Sequence, residues 1–157
     1  MASDEETTRW TFPADQTRED TRRGIEEIYL ADPVGKYALE VKSKQKMIGT
    51  LDTYGLSEKD RSLSMGIILN KSYWGQGVAS EALQAVLDLL LLDLDFEVVK
   101  AGHAQENQAS KRLLEKMGFQ QVAQKEADQV IAGQQVTSYY YELHRKEWQN
   151  RYGNRDC

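Results

Sequence analysis

Cysteine is nearly absent: Cys157, the last residue, is the only one in a chain of 157. A lone thiol excludes an internal disulfide and any zinc site built from cysteine pairs. The two histidines, His103 and His144, stand far apart and lack the spacing of paired ligands, so no metal is expected. Long apolar runs are missing too. The most apolar one, "AVLDLLLLDLDF", is too short and too acidic to cross a bilayer, so no membrane partner is expected. The start "MASDEETTRW" has neither the basic flank nor the apolar centre of a signal peptide. These absences favour a reducing cytoplasm as the location. Positive charge is also in deficit: the net charge is -5 and the pI about 5.1. That excludes a general nucleic-acid binder, which needs clustered Lys and Arg. It is compatible with a cationic substrate.

What is present fits one globular domain over residues 1–157, with 1–9 and 149–157 expected to be flexible. "TRED" offers Thr17 and Asp20 as a capping box, followed by an apolar stripe of Ile25, Ile28 and Tyr29. Pro33 and Gly35 end that helix. Three strand-like runs follow, "KYALEVKS", "KMIGTLDTYG" and "SLSMGIILN", joined by short polar turns as in an antiparallel meander. Leu83, Val86, Leu87, Leu90 and Leu91 mark a helix from about Ser80 to Leu92. "FEVVKAGHA" reads as a strand, and "NQASKRLLEKMG" as a helix with Asn107 as N-cap and Gly118 after its end. "FQQVAQKEA" and "QVTSYYYELHR" read as two last strands joined by the turn "DQVIAGQ". The expected fold is mixed α/β (α+β), with helices packed on a largely antiparallel sheet.

"YWGQGVASEAL" sits between a strand and a helix. The first N–H groups of a helix lack intrahelical partners, and the dipole adds positive potential there. Glycines let a phosphate approach such backbone closely. Local residues leave two readings open, a tight turn or an anion cradle made of main chain. No Lys-Ser or Lys-Thr follows the glycines, so this is not a Walker A loop. Ser80 stands where a dinucleotide fingerprint needs its third glycine.

"YWGQGVASEAL", followed by "NQASKRLLEKMGF" and ended by "YYYELHRKEW", resembles the GCN5-related N-acetyltransferases (GNAT). Within them it looks like the branch of ribosomal-protein-alanine acetyltransferases. The resemblance runs from roughly Trp10 to Trp148. It implies acetyl-CoA as co-substrate, its pyrophosphate held by backbone N–H groups of Trp74, Gly75, Gln76, Gly77, Val78, Ala79 and the helix start at Ser80. It implies that Ile68, Leu69 and Asn70 pair with the pantetheine arm and that Asn107 hydrogen-bonds it. Trp10 and Phe12 fall where relatives build the acceptor site.

The chain departs from the family pattern in three ways. Many relatives carry a Glu just ahead of the Gly of "SMGIIL"; Ser64 stands there and is no base at neutral pH, so the general base is unassigned. Leu114 replaces a Tyr used by some relatives as general acid. Ser110 is the alternative donor the resemblance offers, against a plain capping position in the helix begun by Asn107. Finally, the family's usual first strand and first helix have no counterpart ahead of "ASDEETTRW". An exposed sheet edge, with lower stability or pairing with another chain, is the expected consequence. The implied activity is acetyl transfer to a primary amine, on a small molecule or a protein N-terminus, by a monomer or homodimer. The competing reading, from the same departures, is an acetyl-CoA-binding sensor with little or no catalysis.

Overall fold

The computed structural model describes residues 4–11, 15–32 and 34–153. The helices are α1 (Glu5–Thr8), α2 (Arg18–Gly24), α3 (Val78–Asp88), α4 (Gln108–Met117) and α5 (Arg145–Tyr152). The strands are β1 (Lys36–Val41), β2 (Lys46–Ser57), β3 (Ser62–Leu69), β4 (Val98–Ala104), β5 (Gln120–Ile131) and β6 (Gln134–His144). They form one six-stranded sheet in the order β1-β2-β3-β4-β6-β5. Every neighbouring pair is antiparallel except β3 and β4, which run parallel. A mixed, largely antiparallel sheet with helices against it is the architecture expected from the sequence.

The alternation of each strand sorts its side chains onto two faces. Leu51, Leu63, Met65, Val99, Tyr141 and Leu143 lie on the face covered by α3, and pack with Leu83, Leu87 and Leu91 in one cluster. α4 adds Leu114 and Met117, and α5 adds Trp148, which is wholly buried. Each leucine fully removed from water contributes about 1.5–3 kcal/mol. The stripe read on α3 is therefore core, and it continues into a π-helical turn at Leu89–Asp93.

Thr17 and Asp20 form the capping box: the Asp20 N–H donates to the Thr17 hydroxyl, and the Asp20 carboxylate accepts from the Thr17 N–H. The hydrogen bond from the Thr17 side chain leads in holding the Asp20 carboxyl below its usual range. The stripe behind it fares differently. The helix widens into a π segment at Ile25–Leu30, where Ile25 stays 44% and Ile28 58% exposed. The wider turn breaks the 3.6-residue spacing that the stripe assumed. Tyr29 alone reaches inward, to Thr50 and Asp52 on β2.

Two further differences lie near the ends. Within 1–9, where flexibility was expected, α1 forms a turn capped by Asp4, with Thr7 and Thr8 buried. "DQVIAGQ" is mostly strand: β5 runs to Ile131, and the turn shrinks to Ala132 and Gly133, both at positive φ. A two-residue turn of that hand matches the twist of the strands it joins.

Candidate active site

The parallel contact between β3 and β4 lasts only three residue pairs, Ser62–Val98, Leu63–Val99 and Ser64–Lys100. β3 then follows β2 to Leu69, while β4 follows β6 to Ala104. The strands part between them, and their facing edges carry backbone groups without ladder partners among the described residues. Buried or half-buried groups of that kind need a partner, and an extended chain laid between the edges supplies one. The opening is a cleft with two lobes of about 610 and 560 Å³. Trp10, Ile67, Ile68, Asn107 and Ser110 line both lobes, so the two meet at the point where the sheet splits.

One lobe ends at the glycine stretch. Gly75 and Gly77 have φ of +69° and +81°, a region costly for residues with a Cβ. A Cβ at either would meet no atom within 4 Å, so the backbone angle, and not crowding, requires glycine. The same fact leaves open space over the loop. Gly77 opens α3 with no side-chain cap among the described residues, and the first helical bond runs from the Glu81 N–H to the Gly77 carbonyl. The N–H groups of Val78, Ala79 and Ser80 therefore precede the intrahelical ladder and border this lobe.

The loop holds its shape through two side chains. The Trp74 indole N–H donates to the Leu69 carbonyl at 2.7 Å, and the Gln76 amide donates to the Ser72 carbonyl at 2.8 Å. Arg9, Arg112 and Lys116 also line this lobe, cations that sequence reasoning did not connect with the loop. A phosphate fits such a set of donors.

Ile68, Leu69, Trp74, Gly75, Gly77, Val78, Ala79, Ser80, Asn107 and Ser110 all border the cleft. Asn70 and Gln76 do not: the Asn70 side chain accepts from the Ser72 N–H, and Gln76 is turned back onto the loop. Asn107 caps α4, its side-chain oxygen accepting from the Ser110 N–H at 3.1 Å. Ser110 thus sits at the third position of α4 with its N–H capped, while its hydroxyl makes no hydrogen bond among the described residues. Leu114 is buried in the core. Trp10 borders both lobes, and Phe12 lies outside the described residues.

His103 is buried beside the junction with both ring nitrogens engaged. Nδ1 donates to the Ala104 carbonyl at 2.7 Å, and Nε2 lies 3.1 Å from the Tyr141 hydroxyl. This arrangement holds the tyrosine and histidine together as a packed unit, with ring centroids 5.3 Å apart.

The other lobe carries Tyr140 beside four residues that sequence reasoning missed: Asp52, Tyr54, Lys100 and Glu142. The strand registers gather them. Asp52 pairs with Gly66, Tyr54 with Ser64, and Lys100 with both Ser64 and Glu142. Residues opposite one another share a face. Asp52 is the unusual member. Its Oδ2 accepts from the Tyr29 hydroxyl at 3.3 Å, while Oδ1 is shielded from solvent with no partner among the described residues. Burial pushes its carboxyl up, against the smaller lowering effects of the Tyr29 hydrogen bond and the Lys36 charge. Among the described residues no group of three or more His, Cys, Asp or Glu is placed to hold a metal. No helix among them is long and apolar enough to cross a membrane.

Residues 1–120 match the family model described as "Acetyltransferase (GNAT) domain". The chain is 25% identical over 124 residues to "Uncharacterized N-acetyltransferase p20" of Bacillus licheniformis, a match covering 79% of this chain and 70% of that protein. Against "Uncharacterized N-acetyltransferase YoaA" and "Probable N-acetyltransferase YjcK" of Bacillus subtilis the match spans about half of the relative's length, 48% and 46%. Among solved structures, a GNAT-family acetyltransferase from Bacillus anthracis superposes with a TM-score of 0.81 at 21% identity, covering 93% of this chain and 86% of that one. Spermidine N-acetyltransferase from Vibrio cholerae, solved with CoA and spermine, gives a TM-score of 0.79 at 15% identity over 95% and 88% of the two chains. At such identities the structural likeness establishes a shared fold.

Proposed function

Because this chain belongs to the GNAT acetyltransferase family, we propose that it moves an acetyl group from acetyl-CoA to a primary amine by direct attack. The observation that carries the reading is the split between β3 and β4, with the uncapped start of α3 at one end and a carboxylate-bearing lobe at the other. One arm of the cleft suits a phosphate-bearing chain and the other a cation.

Bound acetyl-CoA supplies an activated thioester. The N–H groups of Gly77, Val78, Ala79 and Ser80 would hold its pyrophosphate, with Arg9, Arg112 and Lys116 adding charge. The free edge of Ile67, Ile68 and Leu69 would pair with the pantetheine arm as an added strand. A backbone N–H of the same edge would polarise the acetyl carbonyl. Trp74 shapes the loop. Ser110, whose hydroxyl at the junction has no hydrogen bond among the described residues, would return a proton to the leaving sulfur. Trp10 would close the acceptor side, and Phe12 is assigned to the same side from the family pattern.

The acceptor is a cationic amine. Asp52 and Glu142 in the acceptor lobe favour one, and the Vibrio cholerae neighbour was solved with spermine. A small molecule and a protein N-terminus both satisfy that chemistry. The branch of ribosomal-protein-alanine acetyltransferases rests on "YWGQGVASEAL" and "YYYELHRKEW" and carries the second possibility. A cytoplasmic location and a monomer or homodimer complete the reading. Calorimetry with acetyl-CoA, beside thiol release over a panel of polyamines, amino acids and peptide N-termini, tests it. Turnover on one class is the expected result. Binding without thiol release on any acceptor would leave a sensor, and no binding would remove both readings.

A further inference from the structure

The acceptor lobe needs a base, and Ser64, where the resemblance implies a glutamate, cannot be one at neutral pH. The register offers a substitute one strand away. Asp52 sits on β2 opposite Gly66, two residues along β3 from Ser64. Diagonal neighbours on one face of an antiparallel pair lie about 7–8 Å apart, within reach of the same bound group. Gly66 has no side chain to cover Asp52; even an added Cβ would approach nothing closer than Tyr54 Cε1, at 3.9 Å. The carboxyl is tied on one side only, to Tyr29, and its other oxygen lacks a partner among the described residues.

We propose that Asp52 is the general base that deprotonates the acceptor amine. The inference rests on the acyl-transfer reading above and names the proton acceptor for it. An alkylammonium with a pKa near 10 gives one proton to the Asp52 carboxylate and becomes the neutral amine. The amine nitrogen then forms a bond to the acetyl carbon, and the carbon–sulfur bond breaks. The sulfur leaves as thiolate and takes up the second nitrogen proton, by way of the Ser110 hydroxyl; Asp52 returns its proton to water. The products are the amide, the CoA thiol and one released proton, with no change of oxidation state.

The groups that face Asp52 are compatible with the role. Tyr29 from the π segment donates to it, Lys36 on β1 adds a positive charge, and Tyr54 flanks it on its own strand. Lys100 on β4 and Tyr140 and Glu142 on β6 face the same lobe. Burial raises the proton affinity of the carboxyl, which suits a base that must hold a proton during turnover.

The test compares the wild type with Asp52→Asn, and with Asp52→Asn combined with Ser64→Glu. Turnover of an alkylamine should fall at least about 100-fold in Asp52→Asn, a typical loss for a missing general base. Acetyl-CoA affinity measured by calorimetry should stay within about twofold, as the phosphate lobe is untouched. The acid limb of the kcat/KM profile should vanish. Hydroxylamine, already neutral at pH 7, should lose less than tenfold, and Ser64→Glu should restore part of the alkylamine rate. A structural role would instead lower both acceptors equally. That result, or full alkylamine activity in Asp52→Asn, overturns the base assignment alone. A wild type that binds acetyl-CoA and acetylates no amine overturns the acyl-transfer reading and the base with it.

Discussion

Gly77 and Asp52 show how single residues divide the labour between the two lobes. Gly77 sits at φ +81° with open space over its Cα. In Gly77→Glu the backbone strain costs about 1–2 kcal/mol of stability, and the new carboxylate projects where the phosphate would lie. Acetyl-CoA affinity should drop at least about 100-fold, or about 2.8 kcal/mol. Calorimetry beside a thermal melt separates the two effects, and unchanged affinity would make the stretch an ordinary turn. For Asp52, burial raises the folded pKa above the unfolded one, so the native state holds the proton more tightly. Stability therefore falls as pH rises through the window between the two values, and stays lower above it. Asp52→Asn should melt higher than the wild type at pH 7, and the two should converge below the carboxylate range. A variant that melts lower at neutral pH would mean that Asp52 serves the fold.

At the scale of elements, Trp148 anchors α5 in the core, beside the ion pairs of Arg145 with Asp95 and Glu97. Trp148 is wholly buried, and its indole N–H donates to the Asp88 carboxylate at the end of α3, at 2.8 Å. Trp148→Ala should cost about 3–5 kcal/mol, as for other large aromatic truncations. Trp148→Phe keeps most of the volume and loses a hydrogen bond to a charged group, about 1.5–3 kcal/mol. Urea unfolding of both variants checks the ranking; equal losses would mean that packing contributes little there. The helices and strands whose own residues punctuate them were legible in the sequence. Thr17, Asn107 and Gly118 mark ends by local chemistry, and the structure keeps all three in those roles. β5 was read short because Gly133 marks "DQVIAGQ" as a turn, yet Gln129, Val130 and Ile131 pair with β6. A ladder partner overrides local preference there. Ile25 and Ile28 failed for the opposite reason: their spacing is helical, but a π turn rotates them outward. In the cleft, the glycine loop was legible because strand, loop and helix are contiguous. Asp52 was not, since its setting is made by Gly66 and Tyr29, residues brought to it by pairing and packing.

The whole molecule is a sheet opened along one seam, and ligand should close that seam thermodynamically. β3 and β4 share only three pairs, so the halves β1-β2-β3 and β4-β6-β5 are joined chiefly by that short ladder and by the core under α3 and α4. A chain bridging the free edges of both strands adds contacts that exist only in the folded state. At free acetyl-CoA a hundredfold above its Kd, linkage gives about 2.7 kcal/mol of added stability. For a domain of this size that is a rise in Tm of about 5–10 °C. The rise should shrink with added salt, because in the proposed binding mode Arg9, Arg112, Lys116 and the start of α3 would hold the phosphates electrostatically. In Gly77→Glu it should disappear, and in Asp52→Asn it should persist, since that residue belongs to the acceptor lobe. Thermal shift of the three proteins, at low and high salt, measures this directly. An acetyl-CoA shift that survives Gly77→Glu at full size would locate the phosphates elsewhere on the molecule.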